Sequence, residues 1–267
     1  MKKVFIAKQQ TLFIIILNFN GGEDILACLK SLQLIKLPSK WKLGVLVVDN
    51  NVNPTSLKLR GVKILRNFKN LGFAKGMNVG IRRAIKNGAE AVLLLNQDAV
   101  VEKNFLVPLL ENSADIVGPV IKFKRQGRWV YDLGGKINWW LGRTKHEEME
   151  NGEWRMENIK DIDYVSGCAM MIKRPVLEKI GLLDERYFLY FEDADFCLRA
   201  KRAGFKVAVE PKSLIFHKLT EGRKKPLKQR LHLLKSNLIF INRWIPFWKK
   251  PIAYLYWWLL MFKILLR

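Results

Sequence analysis

Ala91-Val-Leu-Leu-Leu-Asn-Gln-Asp98 runs five apolar residues without a break into two amides and a carboxylate. A run this short and this uniformly apolar reads as a strand buried on both faces, the kind found inside parallel sheets. The same grammar recurs on its N-terminal side. Leu12–Leu17 leads into Asn18 and Asn20, Leu43–Val48 into Asp49-Asn50-Asn51, and Val62–Leu65 forms a further run. Amphipathic segments at Asp24–Leu34 and Ala74–Lys86 lie between these runs, so strands alternate with helices. That alternation predicts a parallel α/β sheet, and in such sheets ligands sit beyond the carboxyl ends of the strands. Three strand ends carry polar tips here, which predicts one shared crevice.

Past Asp98 the pattern loosens. Between Lys122 and Lys160, Trp129, Trp139, Trp140 and Trp154 are scattered among glycines and charges, and no period is readable. Regularity returns at Tyr164–Ile172, followed by a helix over about Pro175–Ile180 and another over about Asp193–Ala203, stopped by Gly204. Lys206–Val209 and Leu214–His217 read as two further strands.

Charge separates the end of the chain from the rest. The formal net charge is +23, and Lys218–Arg267 holds twelve Lys or Arg against the single acid Glu221, a local excess of +11. Such basicity calls for a polyanionic partner, whether nucleic acid, anionic membrane or phosphorylated substrate. After a basic linker, Arg223-Lys-Lys-Pro226, a helix is predicted to about Asn242, then the aromatic and basic stretch Arg243–Lys250. Ile252–Phe262 gives eleven uninterrupted apolar residues, short of the ~20 that a membrane span requires. Tryptophan and tyrosine beside lysine and arginine form an interfacial anchor, so this stretch is expected to lie along an anionic membrane. The competing reading is a core helix with a solvated basic face.

Cys28, Cys168 and Cys197 have no C-x-x-C spacing, which predicts neither a zinc site nor a disulfide framework and makes a reducing compartment the default. Lys2 and Lys3 precede apolar residues as in a signal peptide, but Lys8-Gln9-Gln10 breaks the run and Thr11–Leu17 is better read as the first strand.

Several residues are candidates for chemistry. Glu192, Asp193 and Asp195 open a helix directly after the aromatic run Phe188–Phe191. Acids at a helix start are ordinary caps, yet three within four residues exceed what capping needs, and a carboxylate kept ionised by the helix dipole suits a general base. Asp98, with the Asn96 amide two residues before it, could hold a hard divalent cation that also grips a diphosphate, or could simply form a turn. Asp49-Asn50-Asn51 is either a turn or a carboxylate facing a nucleobase and ribose. Asn70–Gly80 is a glycine-spaced loop opening a helix, which offers backbone amides to phosphate but lacks the Rossmann spacing. His217 ends an apolar run and is either structural or a ligand.

Taken together, Ile14–Gly21, Val47–Asn51, Asn70–Gly80, Leu93–Asp98, Gly167–Arg174 and Phe188–Arg199 resemble the family 2 glycosyltransferases, in particular the rhamnosyltransferase-like branch. Each motif is modest, but six in register from Thr11 to His217 are specific. The resemblance implies a GT-A fold, a mixed and mostly parallel α/β sheet flanked by helices, over residues 1–220, with a basic amphipathic extension over 221–267. It implies that Asp49 meets the nucleobase or ribose, with Asn18, Asn70, Gly72 and Asn78 also on the nucleotide-sugar side. Asp98 becomes the metal-binding acid of the D-x-D signature, His217 a further metal ligand, and Asp193 the base. Gly167 and Glu192 fall on the acceptor side, near which the loose Lys122–Lys160 excursion is placed.

The implied cofactor is Mg2+ or Mn2+, and the implied donor is a dTDP-, UDP- or GDP-linked sugar, possible rhamnose included. The implied acceptor is a glycan or lipid-linked precursor, and the expected location is cytoplasmic, peripheral on the inner face of the cell membrane. Two departures stand out: Asn96 replaces the first Asp of D-x-D, and Gln97 sits where many relatives have proline. A nucleic-acid-binding module would explain the charge but leaves the acids at the strand ends without a purpose.

Overall fold

A computed structural model of the chain describes residues 9–53, 61–150, 161–218 and 226–266. The linker residues Arg223-Lys224-Lys225, Trp154 and the expected boundary at 220/221 lie outside the described residues.

The apolar runs form strands as expected: β1 (Gln10–Asn18), β2 (Trp41–Asp49), β3 (Val62–Arg66) and β4 (Ala91–Asn96). Helices α1 (Gly22–Leu32) and α2 (Phe73–Lys86) fall between them. The chain continues through β5 (Ala99–Val101), α3 (Leu106–Glu111), β6 (Ile116–Arg125), β7 (Arg128–Asn138) and β8 (Arg143–Glu150). Next come β9 (Ala169–Lys173), α4 (Arg174–Ile180), α5 (Glu192–Arg202), β10 (Val207–His217), α6 (Leu227–Trp244) and α7 (Lys250–Leu265). The strands make one ten-stranded sheet in the order β3-β2-β1-β4-β9-β6-β10-β5, with β7 pairing β6 and β8 pairing β7. β3, β2, β1 and β4 are mutually parallel, and β10 is parallel to β6, while β9 runs antiparallel between β4 and β6.

β1 shows why its sequence has no polar alternation. Leu12, Ile14 and Ile16 enter one core with α1 and α3, while Phe13 and Ile15 enter another with α2 and α5. Because both faces are covered, both sets must be apolar. The parallel register then aligns the strand tips: Asn18 pairs with Asp49 across β1 and β2, and Leu17 pairs with Asn96 across β1 and β4.

Three expectations are corrected. The part of the Lys122–Lys160 stretch that is described, as far as Glu150, is not an irregular excursion, because β6, β7 and β8 form a continuous antiparallel ribbon. Its period is hidden since β8, Arg-Thr-Lys-His-Glu-Glu-Met-Glu, is an edge strand with no apolar alternation. Lys206–Val209 and Leu214–His217 are one strand, β10, whose register slips between Glu210 and Leu214. Tyr164–Cys168 precedes the regular strand, which starts at Ala169.

The two C-terminal helices differ in how they pack. Phe240, Ile241 and Trp244 of α6 are buried in the same core as Phe191, Ala194 and Cys197, and the Trp244 indole donates to Asp195 Oδ1 at 2.8 Å. The core therefore does not stop before the extension. α7 rests on α6 through Ala253 and through Trp257, whose indole donates to the Leu234 carbonyl at 2.9 Å. Its other face leaves Ile252, Leu255, Trp258, Leu259 and Phe262 exposed. No helix among the described residues is long and apolar enough to cross a membrane.

Candidate active site

At the tip of β2, Asp49 is 1% exposed and its Oδ1 accepts from Asn18 Nδ2 at 3.2 Å, from the Asn51 backbone N–H at 3.2 Å and from Asn51 Nδ2 at 2.7 Å. A buried carboxylate needs such donors, which is why asparagines surround it. The network extends outward, with Asn50 Nδ2 donating to the Gly72 carbonyl at 3.0 Å and Asn67 Nδ2 donating to Asn50 Oδ1 at 2.8 Å. Asn70 Oδ1 accepts from the Gly72 N–H at 2.9 Å and closes the loop before α2. Gly72 cannot be replaced without strain, because its φ is +80° and a Cβ there would stand 2.5 Å from the Phe188 carbonyl. Asn78, expected beside the nucleotide, is instead buried, and its amide exchanges hydrogen bonds with the Leu183 backbone and donates to Glu185. It ties α2 to the segment ahead of α5.

At the tip of β4, His217 pairs with Ala99 across β10 and β5, which brings its Nε2 to 3.0 Å from Asp98 Oδ1. The two expected metal ligands, 119 residues apart, are thus neighbours. Burial alone would lower the His217 pKa, but the Cys168 sulfur and the Asp98 carboxylate beside it outweigh this and push it up to about 11. An oxygen and an imidazole nitrogen at this spacing form a donor set that suits Mn2+ better than the oxygen-seeking Mg2+. Among the described residues no group of three or more His, Cys, Asp or Glu could hold a metal, so further ligands would have to come from substrate or water. Asn96 turns its backbone to Cys168 and lines the adjoining cavity. Gln97 pairs with both backbone groups of Phe19, at 2.8 and 3.0 Å, and pins the β1 tip to the β4 tip.

The third component is the loop entering α5. Tyr190 and Phe191 both adopt positive φ, +71° and +68°, a costly conformation for aromatic residues that the surroundings must enforce. It delivers Glu192 and Asp193 to the wall of a cavity of about 340 Å3, which is also lined by Asn96, Gly167, Cys168 and His217. Asp193 accepts the Gly167 N–H on Oδ2 at 2.9 Å and the Ala194 N–H on Oδ1 at 2.8 Å, leaving each oxygen a lone pair. Burial raises its pKa, and those backbone donors oppose the rise only in part. The helix start was expected to hold this carboxyl in its ionised form, and burial turns out to outweigh that. A base with a raised pKa is the stronger proton acceptor.

Glu192 is 5% exposed, and its Oε2 has no hydrogen-bond partner among the described residues. Burial and the Asp193 charge hold its pKa well above the ordinary carboxyl range. Asp195 does not face the cavity; it is fully buried and bound by Arg199 Nε at 2.9 Å.

The opposite wall was not legible in the sequence. Arg125, Asp132, His146 and Glu148 of β6–β8 line the same cavity. His146 Nδ1 lies 2.8 Å from Asp132 Oδ2, and Arg125 makes a two-pronged contact with Glu148 at 2.7 and 2.9 Å. Burial lowers the His146 pKa, but Asp132 more than reverses this and brings it up to about 8. These residues carry no local signature, and only strand pairing unites them.

The sequence matches the profile described as "Glycosyltransferase like family 2" over residues 10–233. The chain belongs to glycosyltransferase family 2. This glycosyltransferase is 29% identical to the dTDP-rhamnosyl transferase RfbF of Shigella flexneri over 65% of its own length and 59% of the relative's. It is 28% identical to the N-acetylglucosaminyl-diphospho-decaprenol L-rhamnosyltransferase of Mycobacterium tuberculosis, covering 90% of this chain and 87% of that one. These names agree with the rhamnosyltransferase-like branch that the motifs resemble. It is also 28% identical to the low-salt glycan biosynthesis hexosyltransferase Agl10 of Haloferax volcanii, with 74% and 66% covered. The chain thus spans about three fifths of the Shigella relative and just under two thirds of the Haloferax one.

Among solved structures, GalNAc-T7 with UDP, GalNAc and Mn2+ superposes with a TM-score of 0.66 at 16% identity, over 88% of this chain and 48% of that one. The mannosyltransferase PcManGT of Pyrobaculum calidifontis, solved with GDP-Man and Mn2+, gives 0.54 at 16% identity, over 91% and 68%. These likenesses establish the GT-A-like fold.

The raised pKa of Glu192 has a consequence for stability. The folded state holds this proton at pH values where the unfolded chain has released it, so stability contributed below the unfolded pKa is lost as pH rises above it. Glu192→Gln is expected to be at least as stable as the parent at pH 7 and to show a flatter decline between pH 5 and 8. Urea unfolding across that range checks this, and a Gln variant less stable at pH 7 than at pH 5 relative to the parent would contradict it.

Proposed function

We propose that this glycosyltransferase transfers a sugar, with rhamnose the first to be tested, from a nucleoside diphosphate to an acceptor hydroxyl with inversion. The observation that carries this reading is that one cavity is lined by both His217 and Asp193. A leaving diphosphate at the His217–Asp98 pair and an accepting carboxylate therefore face the same volume. The Asn18, Asp49 and Asn70 cluster beside it suits the nucleoside, and the positive end of the α2 dipole suits phosphate oxygens, although the Phe73 N–H itself is held by the Phe188 carbonyl.

Asp98 and His217 would hold Mn2+ or Mg2+, which when bound supplies positive charge to the departing diphosphate. Asp193 takes the proton of the acceptor hydroxyl as its oxygen attacks the anomeric carbon. A direct attack needs no covalent enzyme intermediate and inverts the configuration. Gly167 holds the Asp193 carboxylate in place through its N–H. Turnover of dTDP-rhamnose, UDP-sugars and GDP-mannose, read as release of the nucleoside diphosphate with a panel of alkyl glycosides as acceptors, tests the reading. Asp193→Asn is expected to slow transfer about 100- to 10,000-fold with donor affinity nearly unchanged. Near-parental transfer by that variant would remove Asp193 from its role.

Metal dependence follows from the same pair. A metal must displace the proton that His217 holds, so Mn2+ affinity should rise with pH between 6 and 8 as one proton is released. Calorimetry with dTDP or UDP and Mn2+ in buffers of different ionisation enthalpy reads this release. Asp98→Ala should weaken nucleotide binding in Mn2+ by about 100-fold or more, beyond the usual cost of losing an outer-shell partner. Equal nucleotide affinity in chelator and in Mn2+ would rule the cation out.

The acceptor is proposed to be a glycan precursor carried on a lipid, reached from the inner face of the cell membrane. Exposed Leu255, Trp258, Leu259 and Phe262 on α7, with Lys249, Lys250 and Lys263 nearby, suit an anionic surface. Replacing Leu255, Leu259 and Phe262 by Glu should abolish flotation with phosphatidylglycerol vesicles while α6 stays packed. Undiminished flotation of the folded triple variant would refute the membrane assignment. Deletion is the poorer test if it begins at Trp244, because that side chain belongs to the core.

A further inference from the structure

The cavity wall facing Asp193 is built with more care than a hairpin needs. Asp132 is 6% exposed; its Oδ1 accepts the Gly134 N–H at 2.9 Å and its Oδ2 meets His146 Nδ1 at 2.8 Å. This is possible because the β7–β8 register slips between Asp132 and Gly135, with Gly134 at a φ of +96°. Such irregularities re-aim side chains beside active sites. Gly135 lies so close to Tyr164 that a Cβ would stand 2.1 Å from its ring, and that ring meets the His146 imidazole edge-on at a centroid distance of 5.5 Å. A buried acid, a strand irregularity and two glycines thus fix one imidazole at the cavity wall.

Glu192 makes a second, independent point in the same cavity. Its carboxyl is more than nine-tenths buried, and Oε2 meets no hydrogen-bond partner among the described residues. An unmet buried polar atom is costly, and a ligand that meets it recovers that cost. Held neutral, the carboxyl can donate a hydrogen bond as well as accept one.

The charges of this wall identify the ligand's chemistry. His146 is matched by Asp132, and Arg125 is occupied by Glu148, so among the described residues that line this wall no uncompensated cation is offered to a phosphate. Paired polar groups beside the aromatic rings of Phe73 and Phe123 fit a neutral ring rich in hydroxyls. We propose that Glu192 and the Asp132–His146 pair form the subsite for the acceptor's sugar ring, gripping hydroxyl groups next to the one that Asp193 deprotonates. Asp132 acts through His146 and is a positioning residue. The inference rests on the sugar-transfer reading above.

The experiment uses the full chain with the alkyl glycoside that the parent uses best, together with the monodeoxy analogues of that glycoside. His146→Leu and Glu192→Leu are expected to raise the acceptor KM about tenfold or more, while the affinity for nucleoside diphosphate with Mn2+ stays within about twofold, because neither side chain belongs to the Asp98–His217 pair. Glu192→Gln, which keeps a neutral donor and acceptor, should hold the acceptor KM close to the parent's. A purely structural role for Glu192 would not distinguish Gln from Leu in KM alone. The parent should lose about tenfold in KM with at least one monodeoxy acceptor, and the matching Leu variant should be indifferent to that deletion.

If the Leu variants misfold, the deoxy series on the parent and His146→Gln still decide. Unchanged acceptor KM in the folded variants, or no discrimination among deoxy acceptors by the parent, overturns the subsite while leaving sugar transfer intact. A parent that turns over no nucleotide-sugar fells both readings.

Discussion

Asp195 has no exposed surface, and a carboxylate sealed from water must be met by donors on every side. Arg199 Nε lies 2.9 Å from one oxygen, while the Trp244 indole at 2.8 Å and Arg243 at 3.1 Å meet the other. Those donors come from α5 itself and from α6, so satisfying a single charge forces the C-terminal helix against the helix that carries the candidate base. The same docking places Ser236 Oγ 2.8 Å from the Leu189 carbonyl and stacks His232 on Phe188 at 4.2 Å. Phe188 in turn accepts the Phe73 N–H at 2.7 Å and closes over Gly72. One buried acid therefore fixes both the loop that presents Asp193 and the start of the helix proposed to meet the diphosphate.

That arrangement explains how an unfavourable backbone persists. Consecutive aromatic residues at positive φ cost of order 1–3 kcal/mol each, and Glu192 adds a buried carboxyl with an unmet oxygen. Neither is affordable in a loop with few contacts. Phe191 instead packs against Phe240 at 5.1 Å, inside the core that α6 completes. Strain at the cavity is held by apolar burial behind it, the usual relation between a functional site and its scaffold.

How much of this the sequence discloses depends on whether the determining interaction is local. The strand tips at Asn18, Asp49 and Asn96 were readable, because a doubly buried strand must be apolar along its length and its end is marked by the first polar residue. Their alignment into one crevice follows from parallel pairing, which the helix-strand alternation already implies. The Asp98–His217 pair was legible as two separate candidates, and its union needed the β10–β5 pairing. Asn78 was misread because a position in a motif does not say which way an amide faces, and here it faces Leu183. His146 was invisible, since β8 is an edge strand of charged residues with no hydrophobic period, and Asp132, buried in β7, meets it only through a slipped register that is a tertiary fact.

The two halves of the cavity therefore differ in kind as well as in origin. The side proposed for the nucleotide is assembled from tips of parallel strands whose register the buried core enforces, so a shift of one residue would turn apolar side chains out of both layers. The ribbon of β6, β7 and β8 has one partly exposed edge, and nothing in the core fixes the identity of residues such as His146 and Glu148. A fold built this way can hold a diphosphate in a constant place while the facing wall changes its polar groups from one relative to another. On the reading proposed above, acceptor choice would be set by cross-strand pairs such as Asp132 with His146, whose identity the shared sheet does not dictate.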